Sequence, residues 1–173
     1  AGKTDYTVEA TMKFDASGDN CYLFFGFAND KNGNGAWEIV NDGTNFRFSD
    51  GQMLFNAGYA FDNADNAKAL KTAIRDEKKV ASYRFVVEGG KLAKVIVSCG
   101  DVTVTYANTD PASQISAEKG KFTLACRADS NQVLAVTLEK LTVTEKDATA
   151  ALVEKDYKSI WTEKQLTAET PAA

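Results

Sequence analysis

Between Asn29 and Gly51 the chain reads NDKNGNGAWEIVNDGTNFRFSDG, and here the residues able to do chemistry are densest. Three chemistries compete for it. The first is cation binding. Asp30, Asn32 and Asn34, followed by Gly35, space their oxygens as the first half of a calcium loop does. The twelfth position is Asn41, where such a loop needs a bidentate Glu, so a Gly/Asn-rich hairpin turn explains the spacing equally well. The second is sugar recognition. A pyranose presents an apolar C–H face and a rim of hydroxyls, so its site wants an aromatic plate flanked by planar polar groups. Trp37 and Tyr22 are the expected plates, with Tyr59 a further one, and Glu38, Asn41, Arg47 and Asp50 are the expected hydrogen-bonding groups. Against this stands the fact that large aromatics are mostly buried. The third is glycoside hydrolysis, which needs two carboxylates about 5 Å apart or somewhat wider. Glu38 stands alone in AWEIV, and Glu154-x-Asp156 lacks a third acid at position 159 and lies in a segment that reads as helical.

Composition narrows the field. The chain has 173 residues, 44% of them hydrophobic, enough for one domain with a real core. It has no histidine, which removes the commonest general base and any Ser-His or Cys-His pairing. The net charge is −4, and the longest basic cluster is a pair such as Lys78-Lys79, so no nucleic-acid partner is expected. No apolar run is long enough to span a bilayer, and no membrane insertion is expected. The chain starts with Ala and shows no signal peptide, so it reads as a mature or excised part of a larger multidomain protein. Cys21, Cys99 and Cys126 match no metal spacing. A Cys99–Cys126 bridge and buried free thiols both remain open.

The elements that would position these residues follow from period-two alternation. YTVEATMKF puts Val8, Ala10, Met12 and Phe14 on one face. CYLFFGFA, AWEIV and NFRFS are further strands, the last two joined by the Asn41-Asp42-Gly43 turn signal. The period then changes. Ala67, Leu70 and Ile74 fall at helical spacing, predicting one short helix over about 65–77 with Asp65 as N-cap. SYRFVVE, KLAKVIVS and DVTVTYA read as a meander turning at Gly89-Gly90 and Gly100-Asp101, followed by KFTLACRA and VLAVTLEKLTVTE. In the last of these the apolar parity slips between Leu138 and Leu141, which predicts a β-bulge near Glu139-Lys140. The domain is expected over 1–146. A partly helical tail over 147–173 would dock through residues such as Ala151, Leu152, Tyr157 and Trp161, with a loose end.

The order DYTVEATMKF, YLFFGFANDKNGNGAWEIV, YRFVVEGGKLAKVIVSCGDVTVTYA and GKFTLACRADSNQVLAVTLEKLTV resembles the concanavalin A-like lectin/glucanase superfamily, in its laminin-G-like and carbohydrate-binding-module branch. The resemblance spans roughly residues 5 to 145 and lies in strands and turns, not in a signature motif. It implies an all-β, two-sheet antiparallel β-sandwich, a jelly roll of lectin-like topology. It also implies a polysaccharide or oligosaccharide ligand, calcium in some members, and hydrolysis in others. The helix-forming insert departs from that pattern. So does the start of the chain at what is usually a second strand, a place the Trp161 tail could fill. The expected role is non-catalytic glycan binding in a secreted or cell-surface protein, with no cofactor beyond the calcium candidate. The alternatives are a glycoside hydrolase with carboxylates drawn from separate strands, and a protein-binding module.

Overall fold

The structure, a computed structural model, describes residues 4–17, 21–29, 45–49, 52–55, 59–117, 120–128 and 133–157. The chain is mostly strand. Its centre is β1 (Tyr6–Ser17), whose alternation buries Val8, Ala10, Met12 and Phe14 almost completely. β1 pairs antiparallel with β10 (Leu134–Glu145) on one side and β6 (Ala81–Glu88) on the other. β6 continues into β7 (Lys91–Cys99) and β8 (Val102–Ala107) as the expected meander. Its turns use Gly89, Gly90 and Gly100 at φ of 56°, 73° and 58°, the left-handed region that residues with a Cβ avoid. The short β5 (Ala60–Phe61) and β11 (Val153–Asp156) form the edges. The antiparallel sheet has seven strands in the order β11-β10-β1-β6-β7-β8-β5.

The parity slip in β10 is a bulge. Thr11 pairs with Lys140 and Met12 with Leu138, leaving Glu139 as the extra residue. A second bulge leaves Ala93 extra in β7, between the pairs Val86–Lys94 and Val87–Leu92. It lets Leu92 and Val95, three positions apart, both enter the core.

The helix, α1 (Ala64–Lys71), begins one residue earlier than expected. Its cap is Asn63, whose side-chain oxygen accepts from the Asn66 N–H at 2.9 Å. Asp65 lies in the first turn, where its charge meets the positive end of the helix dipole. α1 runs into a π-helical turn, Thr72–Asp76, closed by the Glu77 N–H donating to the Thr72 carbonyl at 3.1 Å. The wider turn brings Ala73 and Ile74 both inward, adding to Ala67 and Leu70. Lys78, at φ 53°, ends the helix, and the Lys79 N–H donates back to the Ala73 carbonyl.

Four further strands, β2 (Cys21–Asn29), β3 (Asn45–Ser49), β4 (Gln52–Phe55) and β9 (Gly120–Ala128), pair antiparallel in the order β4-β3-β2-β9. Leu23 of β2 is fully buried and belongs to the same core cluster as the β1, β6 and helix residues. Phe122 of β9 packs on Phe85 of β6, ring centroids 5.2 Å apart. α1 lies beside β8 and β4, and Asn66 Nδ2 donates to the Thr103 carbonyl at 3.1 Å.

AWEIV, expected as a strand, lies outside the described residues. The tail differs from expectation. The segment expected to be helical contains β11 instead, paired with β10 from Lys140 to Val143. An open strand edge offers a row of backbone partners, which outweighs the modest helix propensity of VEKD. Leu152 stays 53% exposed and Ala151 is exposed, so neither docks; Tyr157 is half-buried. Trp161 lies outside the described residues.

Candidate functional site

Leu23, at 0% exposure, defines which side of β2 faces the core. Strand alternation assigns positions 22, 24 and 26 to the other side. Directly paired residues share a side, so the register extends that assignment across the ladder. Phe24 pairs with Arg47 and Ala125, Tyr22 with Arg127, and Arg47 with Phe55. The backbone thus sets Tyr22 and Arg47, both expected sugar-contacting residues, on one side of adjacent strands, two register positions apart. By register Phe24, Phe55 and Arg127 fall in the same row, and none of the three was among the expected sugar-contacting residues. Gly26, facing Asn45 and Thr123 across its two pairings, continues the row. Trp37, Glu38, Asn41 and Asp50 lie outside the described residues, as do the calcium candidates Asp30, Asn32 and Asn34.

Tyr59 is not an exposed plate. It is 8% exposed, its hydroxyl donates to the Leu92 carbonyl, and it accepts from the Ile115 N–H at 3.2 Å. Burial pushes its pKa up to about 12. This phenol ties the 108–117 loop to β7. Asn108, the buried polar residue of that loop, accepts from the Asp110 N–H at 2.9 Å and donates through Nδ2 to Ser113 Oγ at 3.1 Å.

The outward side of the seven-stranded sheet carries charges in matched sets. Glu9 accepts from Ser82 Oγ at 2.7 Å through one oxygen and from Arg84 Nε at 3.1 Å through the other. Asp15 accepts from Thr137 at 2.5 Å and pairs with Lys13 at 3.0 Å. The Thr137 hydrogen bond, and then Lys13, hold its carboxyl below the ordinary carboxylate range. Lys140 meets Glu154 at 2.6 Å, which raises the lysine pKa. Glu154 and Asp156 prove to share one side of a strand, not of a helix, and both are exposed.

Two open recesses flank α1. One, of about 570 Å³, lies between the helix and the β7–β8 turn, with Cys99 among its lining residues. Cys99 is a free thiol, 4% exposed, donating to the Val80 carbonyl at 3.5 Å. Desolvation pushes its pKa up, the opposite of what a nucleophilic or metal-binding thiol needs. The other, of about 470 Å³, is lined by Lys68, Lys71, Thr72, Arg75 and Asp76. Its cations went unread in the sequence, although AKALKTAIR shows them at i, i+3 and i+7. Among the described residues no group of three or more His, Cys, Asp or Glu could hold a metal ion.

Compared with protein-family models, curated proteins and solved structures, the chain matches none of them.

Proposed function

We propose that this chain is a non-catalytic carbohydrate-binding module, a β-sandwich of lectin-like jelly-roll topology belonging to a secreted or cell-surface protein. The observation that carries the reading is the β2–β3 register. It aligns Tyr22 and Phe24 with Arg47 on the side of the ladder opposite the buried Leu23, which is the aromatic-plus-guanidinium pairing a pyranose wants. The contact of Phe85 with Phe122, and the presence of Leu23 in the common core, favour two stacked layers. Trp37 or Tyr22 would stack on a sugar face, while Glu38, Asn41, Arg47 and Asp50 would take its hydroxyls. Affinity per site would be weak, with avidity supplied by neighbouring modules.

Native gels cast with soluble polysaccharides test this. Retardation by at least one glycan, lost in Trp37→Ala and in Tyr22→Ala, is expected. A panel in which no glycan retards the chain removes the reading and favours protein docking.

One observation favours a second reading, glycoside hydrolysis. Glu154 and Asp156 stand two residues apart on one strand, a spacing found within the strand motif of hydrolases in the superfamily that the sequence resembles. Reducing-sugar release abolished by Glu154→Gln, or by Glu38→Gln, would establish it.

A further inference from the structure

Lys68, Lys71 and Arg75 stand at i, i+3 and i+7 along α1 and its π-turn, and the recess they line with Thr72 and Asp76 is open. Ala67, Leu70 and Ile74 of the same helical segment are locked in the core, which fixes the side on which the cations stand. Neither Lys68 nor Lys71 has an ion-pair partner among the described residues. Arg75 Nε lies 3.9 Å from the Asp76 carboxylate. Among the described residues that line this recess, Asp76 is the one acid beside the three cations, in a chain whose net charge is −4. The helix dipole favours cations in the last turn, but it is indifferent to the side on which they stand. Here all three border one recess, next to the exposed hydroxyl of Thr72.

We propose that this recess binds the anionic groups of an acidic polysaccharide, either uronate carboxylates or sulfate esters. The charges run for about 10 Å along the helix, which suits a polymer with repeated anionic groups better than one small oxyanion. Among the described residues the recess has no aromatic side chain on which a base could stack. α1 also lies beside β4, the edge strand of the ladder that carries Tyr22 and Arg47. The class of polymer rests on the carbohydrate-binding reading, whereas the anion site itself does not.

Binding of the full chain to polygalacturonate, dextran sulfate, neutral dextran and a single-stranded oligonucleotide tests the proposal. At least one acidic polysaccharide should bind at low salt and weaken on the order of tenfold between about 50 and about 200 mM salt. The double variant Lys68→Glu/Lys71→Glu should lose roughly a further tenfold, and Lys68→Gln/Lys71→Gln, which removes charge without reversing it, should lose less. Circular dichroism and melting of both variants establish that they fold, and the salt dependence of the unaltered chain stands as evidence without them. The acidic polymer that binds more tightly identifies the anion. No retention of either acidic polymer, unchanged binding in the Gln variant, or an oligonucleotide bound as tightly as both glycans would each overturn the proposal. Neutral-glycan binding that requires Trp37, with no acidic binding, sinks this inference alone. Acidic binding that requires the two lysines, with Trp37→Ala unchanged, sinks only the aromatic platform.

Discussion

The outward side of the seven-stranded sheet and the outward side of the helix solve the same problem in opposite ways. On the sheet three carboxylates have a cation or hydroxyl beside them: Glu9 with Ser82 and Arg84, Asp15 with Lys13 and Thr137, Glu154 with Lys140. Cross-strand neighbours are close enough for opposite charges to answer one another. On the helix the cations repeat along one side, and among the described residues Asp76 is the acid in their recess. A surface whose charges are internally matched serves the fold, while one with charge left over has a field to offer a ligand. The comparison can be broken at several levels.

The largest effects lie beneath both surfaces. Phe85 is 1% exposed and meets Phe122, and Leu70 is fully buried under the helix. Phe85→Ala should cost about 3–5 kcal/mol and Leu70→Ala about 2–5 kcal/mol in chemical denaturation, because each leaves a cavity. If Leu70→Ala costs less than about 1 kcal/mol, the helix is not anchored and the cationic side has no fixed place.

Next comes the buried phenol that ties the 108–117 loop to the sheet. The Tyr59 pKa is raised to about 12 in the folded chain, against about 10 when unfolded. The folded state therefore holds the proton more tightly. Its contribution is intact below pH 10 and is lost as pH rises from about 10 to about 12, on the order of 2 kcal/mol over that window. Tyr59→Phe should flatten the alkaline limb of a stability–pH curve and cost about 1–3 kcal/mol at neutral pH by leaving the Ile115 N–H without its partner.

Much of this was legible in the chain, and the reasons differ by element. β1, the meander and the core side of α1 follow from apolar period alone, and Leu138 to Leu141 announced the bulge at Glu139. The same three-residue step from Leu92 to Val95 was available in KLAKVIVSC and was not read, because Lys91 and Lys94 at i and i+3 disguise it. β11 was misread as helix since its pairing with β10 is a long-range contact that no local pattern encodes. Tyr59 looked like a candidate plate because sequence does not distinguish a buried phenol with two hydrogen bonds from an exposed one. Of the expected sugar-contacting residues, only Tyr22 and Arg47 fall on described strands. Their nearness comes from register, a property of the paired strands together.

A smaller effect concerns how the helix ends. Lys78 sits at φ 53°, a conformation that costs a residue with a Cβ about 1 kcal/mol or more. Lys78→Gly should raise the unfolding midpoint, with a gain of about 0.5–1 kcal/mol net of the added freedom of the unfolded chain. It should leave polyanion binding unchanged, because Lys78 is not among the residues lining the cationic recess. A loss of binding in Lys78→Gly would mean that the field is spread over the basic end of the helix and is not concentrated between Lys68 and Arg75.

The smallest stability effects carry the sharpest form of the comparison. Arg84 is half exposed and Glu9 about a third exposed, so solvent screens their pair, and Glu9→Ala should cost only about 0.5–1 kcal/mol. Part of that cost is the Ser82 hydroxyl left without its acceptor. Lys68→Gln, which breaks no ion pair among the described residues, should change stability by no more than about 0.5 kcal/mol. The two substitutions should then exchange rank when the readout is retention by an acidic polysaccharide. Glu9→Ala removes a negative charge on a different face and should leave retention unchanged or raise it slightly. Lys68→Gln removes one of the cations that define the recess and should weaken it several-fold. If both variants alter stability and retention in the same proportion, the two surfaces do not differ in kind, and the helix cations are there for the fold alone.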